Sequence, residues 1–413
     1  MGRRRLSAVK SSPLSYPVFR ALWLSAIATF IGSFVQNVAE AWLMLDLTKS
    51  PLPVAMLSTA FVVASLVMML PAGVLADRRD RRSILIASQI IQATVAVGLA
   101  ALAYTHHITP EALIAGVALL GLGMALGVPG WTSLVPDLVP RELVAEAVAL
   151  NAVSFNIARA VGPAIGGFVL ARFGVTTSFL LNAASFLIVI ASLLIYAKSD
   201  DETRPPPPKT PLAEAFTEPF PVLTGNAAVR SPTAAMCGFT LGAGIFYPLA
   251  PSFAKTVLGA SAMEFGLMVG AMGAGAVLGA SILKRLRKRL HPRLLLTLTM
   301  TTFALSAAAI SRVSSMVAAM ALFLPAGIGW MGSFSSLSAL VQVWAPTRVR
   351  ARFVALYTMI HLAMWAAASS IGGSMAERFG VRVAMLAGAI VCAIGASITW
   401  RLGLPKNFTG EPA

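Results

Sequence analysis

The sequence predicts an all-α membrane protein, with twelve transmembrane helices in two pseudo-symmetric six-helix bundles. Three observations carry that expectation. The first is composition: of 413 residues, 57% are hydrophobic and only 12% are charged, about half the charge of a soluble domain. The second is a series of apolar runs, each near the ~20 residues needed to cross a bilayer. The third is an internal repeat that relates the first six runs to the last six.

Twelve runs qualify, near 20–45, 54–76, 83–104, 111–133, 147–170, 177–197, 232–255, 263–283, 293–311, 315–340, 353–375 and 383–402. The first follows MGRRRLSAVK, which looks like the basic start of a signal peptide. The run from Ala21 is longer than the ~7–15 apolar residues of such a signal and has no clear cleavage site, so it reads as a retained span. An even number of spans puts both termini on one side. With that side taken as the cytoplasm of an inner-membrane protein, 25 of the 32 Lys and Arg fall in its arms and loops and six on the opposite side. The bias supports cytoplasmic termini. Between the sixth and seventh runs, KSDDETRPPPPKTP is too charged and proline-rich to span and reads as a semi-rigid linker. The organisation expected is therefore a bundle at 1–197, a cytoplasmic linker at 198–231, and a second bundle with a short tail at 232–413.

The repeat appears at an offset of 206 residues. Pro140 meets Pro346, Ile165-Gly166-Gly167 meets Ile371-Gly372-Gly373, and Arg172-Phe173-Gly174-Val175 meets Arg378-Phe379-Gly380-Val381, without a gap. A parallel repeat of this kind places a substrate site between the halves near the midplane.

Several function classes drop out at this point. The net charge of +16 is spread in short clusters between apolar runs rather than gathered into a groove, so no nucleic-acid partner is expected. Cys237 and Cys392 lie in apolar runs, and no metal-ligand spacing occurs. No G-x-x-x-x-G-K-[ST] loop is present, which argues against ATP-driven transport by this chain alone. No catalytic residue, cofactor or metal is expected.

The charges inside the membrane are the candidate site. In FNIARAVGPAIGG (155–167) Arg159 stands about midway along the fifth run. A central arginine costs about 2.5–3.5 kcal/mol on insertion scales and almost always faces a cavity or a partner. It does not escape by deprotonation. Two readings stay open: Arg159 binds an anionic group of a substrate or a proton-carrying acid, or it pins one helix to another. Asn156, Arg159 and Pro163 share one stripe. Gly162, Gly166 and Gly167 allow a neighbouring helix to come close, and Pro163 frees a carbonyl and bends the helix.

The first run carries a polar stripe, Thr29, Ser33, Gln36 and Glu40, as the wall of a cavity would. Glu40 lies about 9 Å of helical rise from Asp46 at the outer end. A carboxylate partly withdrawn from water can exchange a proton near neutral pH, which makes Glu40 the proton-coupling candidate. Asp46 is expected at the interface. On the eleventh run Tyr357, His361 and Trp365 fall at spacings of four, and Trp365 is the repeat counterpart of Arg159. One pathway position would then be cationic in one half and aromatic in the other. His361 can titrate or donate to a carbonyl. Trp330, Phe334 and Tyr247 are weaker lining candidates, and His106 and His107 fall in an outer loop.

The loop GVLADRRDRR (73–82) resembles the G-x-L-a-D-R-x-G-R-R/K signature of the major facilitator superfamily. VGPAIGG (161–167) resembles the G-P-x-x-G-G signature of its drug and metabolite antiporters. WLMLDLTKSP (42–51), LVPDLVPRELVAEAVALN (134–151) and FNIARAVGPAIGG look more narrowly like the transmembrane secretion effector branch, which includes the enterobactin exporter. The likeness covers nearly the whole chain. In the first half Asp80 stands where the pattern has glycine, and the matching loop of the second half, GASILKRLRKRL, keeps the basic cluster without the aspartate. The resemblance implies alternating access of two bundles about a central cavity. It also implies that Asp77, Arg81 and Arg78 hold one conformation. The function expected is a secondary transporter and not an enzyme: a proton-coupled exporter of a small amphipathic metabolite such as a siderophore, or of drugs, acting as a monomer. The alternatives are a lipid or lysolipid transporter and, from another class, a non-transporting membrane sensor.

Overall fold

The computed structural model describes residues 12–196 and 218–409. Among the described residues there is no strand. Eleven helical stretches are long and apolar enough to cross a membrane. The longest, Val144–Tyr196, is broken at Gly174, where φ 80 and ψ 179 interrupt the helix, so twelve spans result. They are α1 (Pro17–Thr48), α2 (Pro51–Arg78), α3 (Arg81–Tyr104), α4 (Pro110–Leu134), α5 (144–173), α6 (175–196), α7 (Ala227–Phe246), α8 (Ala262–Arg289), α9 (Pro292–Arg312), α10 (Met316–Trp344), α11 (Arg350–Phe379) and α12 (Val381–Arg401). The twelve runs read from the sequence each coincide with one of them.

Local chemistry explains where the spans begin. Proline opens α1, α2, α4 and α9, where its missing N–H removes no helical bond. Thr109 caps α4, and Ser261 with Glu264 forms a reciprocal capping box on α8. Asp80, the residue that departs from the family pattern, accepts the amide hydrogens of Arg82 and Ser83 and so caps α3. Inside the seventh span two prolines disturb the helix. Pro248 and Pro251 lie in a 3-10 turn (Tyr247–Leu249) and a short α turn (Ala250–Ser252), and a π turn (Phe253–Val257) follows.

The repeat is visible in the backbone. Gly174 and Gly380, 206 residues apart, both take positive φ (80 and 87) at the start of α6 and α12. A side chain there would be strained. The tandem glycines about two turns before them divide two tasks. Gly166 packs on α1 of its own half, where a Cβ would lie 2.9 Å from Val35 Cα, and Gly372 packs on α7 of its own half, 2.8 Å from the Ile245 carbonyl. Gly167 and Gly373 instead face the other half. Gly167 meets Met263 and Gly266 of α8, and Gly373 meets Leu52 and Ala55 of α2. The two halves therefore meet along α5–α8 and α2–α11.

Most of the linker expected at 198–231 lies outside the described residues. Its described end holds a short helix, Pro219–Gly225, before α7 begins at Ala227. Glu218 pairs with Arg352 and, at 3.8 Å, with Arg348, which ties this end to the second half.

The two glycine tasks give different outcomes on substitution. Gly166→Val overpacks the α1–α5 contact and should cost about 1–3 kcal/mol of stability, seen as a lower melting temperature in detergent. Gly167→Val should leave each half intact and separate the halves. Cross-linking of a Ser50→Cys/Glu377→Cys pair should fall while melting changes little. Equal loss of stability in both variants would contradict this division.

Candidate functional site

The ends of the spans that carry the arginine-rich loops form one face of the protein, called here the basic face. At the opposite face the halves are joined. Lys255 Nζ, lifted by the π turn after α7, lies 2.6 Å from Asp46 Oδ1 at the end of α1 and 4.4 Å from the centroid of Trp42. Trp42 stacks with Phe265 of α8 at 6.0 Å, Lys49 approaches Asp46 at 3.5 Å, and Ser50 bonds Glu377. Deeper in, Thr59 bonds the Ala366 carbonyl and Ser370, Ser369 bonds the Ala55 carbonyl, and Trp365 Nε1 donates to Ser58 Oγ at 2.9 Å. The pairing of Asp46 with Lys255 was not foreseen. Two opposite charges at span ends were the available signal, but the shape of the broken seventh span was not readable.

Beneath that seam a cavity of about 230 Å³ lies between the halves. Its walls include Asn37 and Glu40 of α1, Ser58 of α2, Pro163 of α5, Tyr247 after α7, and Trp365 of α11. Arg159 is not part of this wall. It stands one helical turn from Pro163, toward the basic face, at the contact between the halves. Its guanidinium carbon is 5.3 Å from the Trp330 ring centroid of α10, within reach of a cation–π attraction, and Tyr247 lies within electrostatic reach. Among the described residues no acceptor or carboxylate pairs with it. Trp330 is part of an aromatic cluster, 5.4 Å from Trp365, 5.5 Å from Tyr247, 5.9 Å from Phe239 and 5.8 Å from Phe303. The repeat counterparts Arg159 and Trp365 thus flank the same tryptophan. Trp330, a weaker candidate in the sequence, is the ring on which they meet. Asn156 is bonded to its own helix through the Ala152 carbonyl.

The polar stripe of α1 needs correction. Thr29 donates to the Ser185 carbonyl of α6. Gln36 is only 1% exposed and is turned to α6, accepting from Asn182 Nδ2 at 2.7 Å while its own Nε2 donates to Glu40 Oε1 at 2.7 Å. The stripe is therefore a contact inside the first half rather than a continuous cavity wall. The small side of Gly32 makes the contact possible, since a Cβ there would lie 2.7 Å from Asn182 Oδ1 and from Ser185 Oγ. Glu40 is buried, at 5% exposure, yet its side chain reaches the cavity. No cation pairs with it among the described residues. Ser33 is half-buried. Asn37, exposed within the wall and absent from the sequence reading, is a second polar group of α1 at the space between the halves.

On α11, His361 Nδ1 is 2.8 Å from Thr240 Oγ1, so its partner is a hydroxyl rather than the carbonyl anticipated. Tyr357 and His361 line a smaller, separate cavity. Gly162 abuts Phe34 of α1, 2.7 Å from where a Cβ would sit, so it too serves close packing. At the basic face Arg81 pairs with Asp137 at 2.6 Å and Arg82 donates to the Leu194 carbonyl, both inside the first half. The backbone of Asp77 and Arg78 forms the end of α2, and their side chains lie outside the described part of the structure.

Comparison with known proteins accords with this architecture. A family described as transmembrane secretion effector matches residues 8–411. The enterobactin exporter EntS of Salmonella choleraesuis (strain SC-B67) is 27% identical over 408 residues, covering 96% of this chain and 95% of its own. EntS of Citrobacter koseri (strain ATCC BAA-895 / CDC 4225-83 / SGSC4696) is 26% identical over 414 residues, covering 96% and 95%. Among solved structures, a bacterial homolog of the human lysosomal transporter Spinster aligns with TM-score 0.76 at 17% identity, covering 95% of this chain and 97% of its own. A D-xylose–proton symporter aligns with TM-score 0.70 at 14% identity, covering 96% and 100%. Homologues and fold alike are those of transporters and not of enzymes. The chain is a multi-pass membrane protein of the major facilitator superfamily and belongs to its transmembrane secretion effector family.

Proposed function

We propose that this transporter exports a small amphipathic, anionic metabolite of the siderophore kind from the cytoplasm in exchange for protons. In this reading the basic face and both termini are cytoplasmic, and the seam of Asp46 and Lys255 closes the outer side. The observation that carries the proposal is Arg159, a permanent charge between the halves with an aromatic ring for company and, among the described residues, no acid. An arginine in the membrane interior that only pinned helices would hold an acceptor. One facing the other half across a tryptophan is placed to receive an anionic group from a molecule that also stacks on aromatic rings. The enterobactin exporters are relatives whose described cargo belongs to this class, and the direction of transport is taken from them.

Glu40 is the proton carrier in this scheme. It is a buried carboxylate at the wall of the cavity, held on one oxygen by Gln36 and without a cation. When the outer seam opens it meets outer water. When the seam closes, it faces the same space as the substrate. The sequential use of one cavity by proton and substrate is what exchange requires.

Three outcomes follow from these roles. In proteoliposomes loaded with a catechol-bearing siderophore, Arg159→Ala should weaken binding of the anionic cargo by about 2 kcal/mol or more, roughly 30-fold. Arg159→Lys should retain part of it, and neutral amphiphiles should suffer less. Equal impairment of every substrate would make Arg159 a helix pin. Glu40→Gln should abolish accumulation driven by an imposed pH gradient and leave substrate–substrate counterflow intact. Accumulation by this variant that still follows the pH gradient would remove Glu40 from coupling. Asp46→Asn should weaken a partly exposed ion pair by about 0.5–1 kcal/mol. Thiol labelling at cysteines placed in the outer part of the cavity should rise roughly two- to fivefold; unchanged labelling would mean that the seam does not depend on the pair.

A further inference from the structure

A second cavity, of about 70 Å³, opens between α10 and α11 on the basic side of Trp365. It has room for several waters or one small group. Phe334 and His361, with ring centroids 5.1 Å apart and planes tilted by 51°, form an aromatic wall. Gln342, exposed, stands at the rim. Two of the polar groups around it are already engaged: Thr358 donates to the Val354 carbonyl, and His361 Nδ1 is bonded to Thr240. The buried group without such a bond is Tyr357. It is 4% exposed; Ser338 is near enough to its hydroxyl to interact with it, but among the described residues no group completes a hydrogen bond of good geometry to that hydroxyl. A buried donor left without an acceptor is costly. Tyr357 also begins the four-residue stripe that passes through His361 to Trp365, a rise of about 12 Å along α11. The small cavity is therefore in line with the larger one.

We propose that this cavity is an entry subsite of the transport pathway. It takes a compact hydrogen-bond-accepting group of the cargo, such as a phenol oxygen, a carbonyl or a carboxamide, on the Tyr357 hydroxyl and against the Phe334–His361 wall. The cargo then passes outward along the stripe to the level of Arg159 and Trp365. The subsite rests on the transport reading but has its own recognition chemistry: it reads a neutral acceptor, whereas Arg159 reads a charge.

Benzamide, a neutral ring bearing one amide, is a suitable probe. Its binding to the full chain in detergent is measured by saturation-transfer NMR, which requires no transport. Tyr357→Phe, which removes one oxygen and keeps the ring, should weaken benzamide roughly fivefold. Ser338→Trp, which fills the cavity, should abolish binding, and Arg159→Ala should leave it unchanged. The Tyr357→Phe variant should also raise the KM of the exported siderophore with little change in kcat. Equal benzamide binding in wild type and Tyr357→Phe would overturn the subsite, as would loss in Arg159→Ala with Tyr357→Phe unaffected. Benzamide held through Tyr357 with siderophore KM unchanged would overturn its role in entry. Failure of wild-type siderophore export with Tyr357-dependent benzamide binding intact would strike the transport reading alone.

Discussion

Helices in a bilayer gain little by hiding apolar surface from one another, because the lipid is as apolar as they are. What holds them is close contact, and this chain obtains it from small residues at defined positions. Gly166 and Gly372 bring α5 and α11 against the first helix of their own halves, and Gly167 and Gly373 bring the same two helices against the other half. Adjacent residues on a helix point about 100° apart, so a tandem pair can serve both contacts at one level. The arrangement makes α5 and α11 the shared members of bundle and seam. It also puts Arg159 and Trp365, two turns before those glycines, at the boundary between the halves.

Placing polar groups at that boundary has an energetic logic. A charge in the body of a bundle must be satisfied by fixed partners, because nothing else will ever reach it. A charge between two bodies that separate can be satisfied by solvent or by cargo. The polar residues of the first half divide along this line. Gln36, Asn182 and Ser185 lie within the bundle and are bonded to one another. Arg159 and Asn37 lie at its edge and, among the described residues, are not bonded across the seam. Glu40 belongs to both groups, with one oxygen on Gln36 and its side chain at the cavity.

The fold was legible because its signals are long-range and redundant. Twelve apolar runs, a basic side and a repeat of 206 residues each limit the same architecture, and Gly174 and Gly380 keep the same backbone geometry at equivalent positions. The site was legible in part. That Arg159 and Trp365 are counterparts followed from the repeat; that Trp330 stands between them did not. Which neighbour a polar stripe faces did not, because α1 has protein on more than one side. Gln36 and Asn37 are consecutive, yet one is bonded to α6 and the other opens on the cavity. Lys255 was hidden for a different reason. Pro248 and Pro251 replace regular helix with a series of tight and wide turns, and the direction of a side chain beyond such a break cannot be counted from helical spacing.

The break in the seventh span also bears on how the two halves differ. Its repeat counterpart, α1, runs unbroken from Pro17 to Thr48 and supplies Asn37, Glu40 and Asp46 from regular turns. The seventh span supplies Tyr247, then backbone without proline N–H groups, then Lys255 on a π turn. A regular helix moves as a rod, whereas a span with weakened hydrogen bonding can bend at its weak point. The seam opposite the basic face joins one of each: Asp46 on the rod and Lys255 beyond the break. Opening that side therefore does not demand that the whole second half swing away. Bending at Tyr247–Val257 would release Lys255 from Asp46 and Trp42, while the glycine contacts of α5 with α8 and of α2 with α11 continue to hold the halves together. The asymmetry between the repeats is thus one of local stiffness as well as of chemistry, with the acidic residues on the regular helix and Lys255 beyond the broken one.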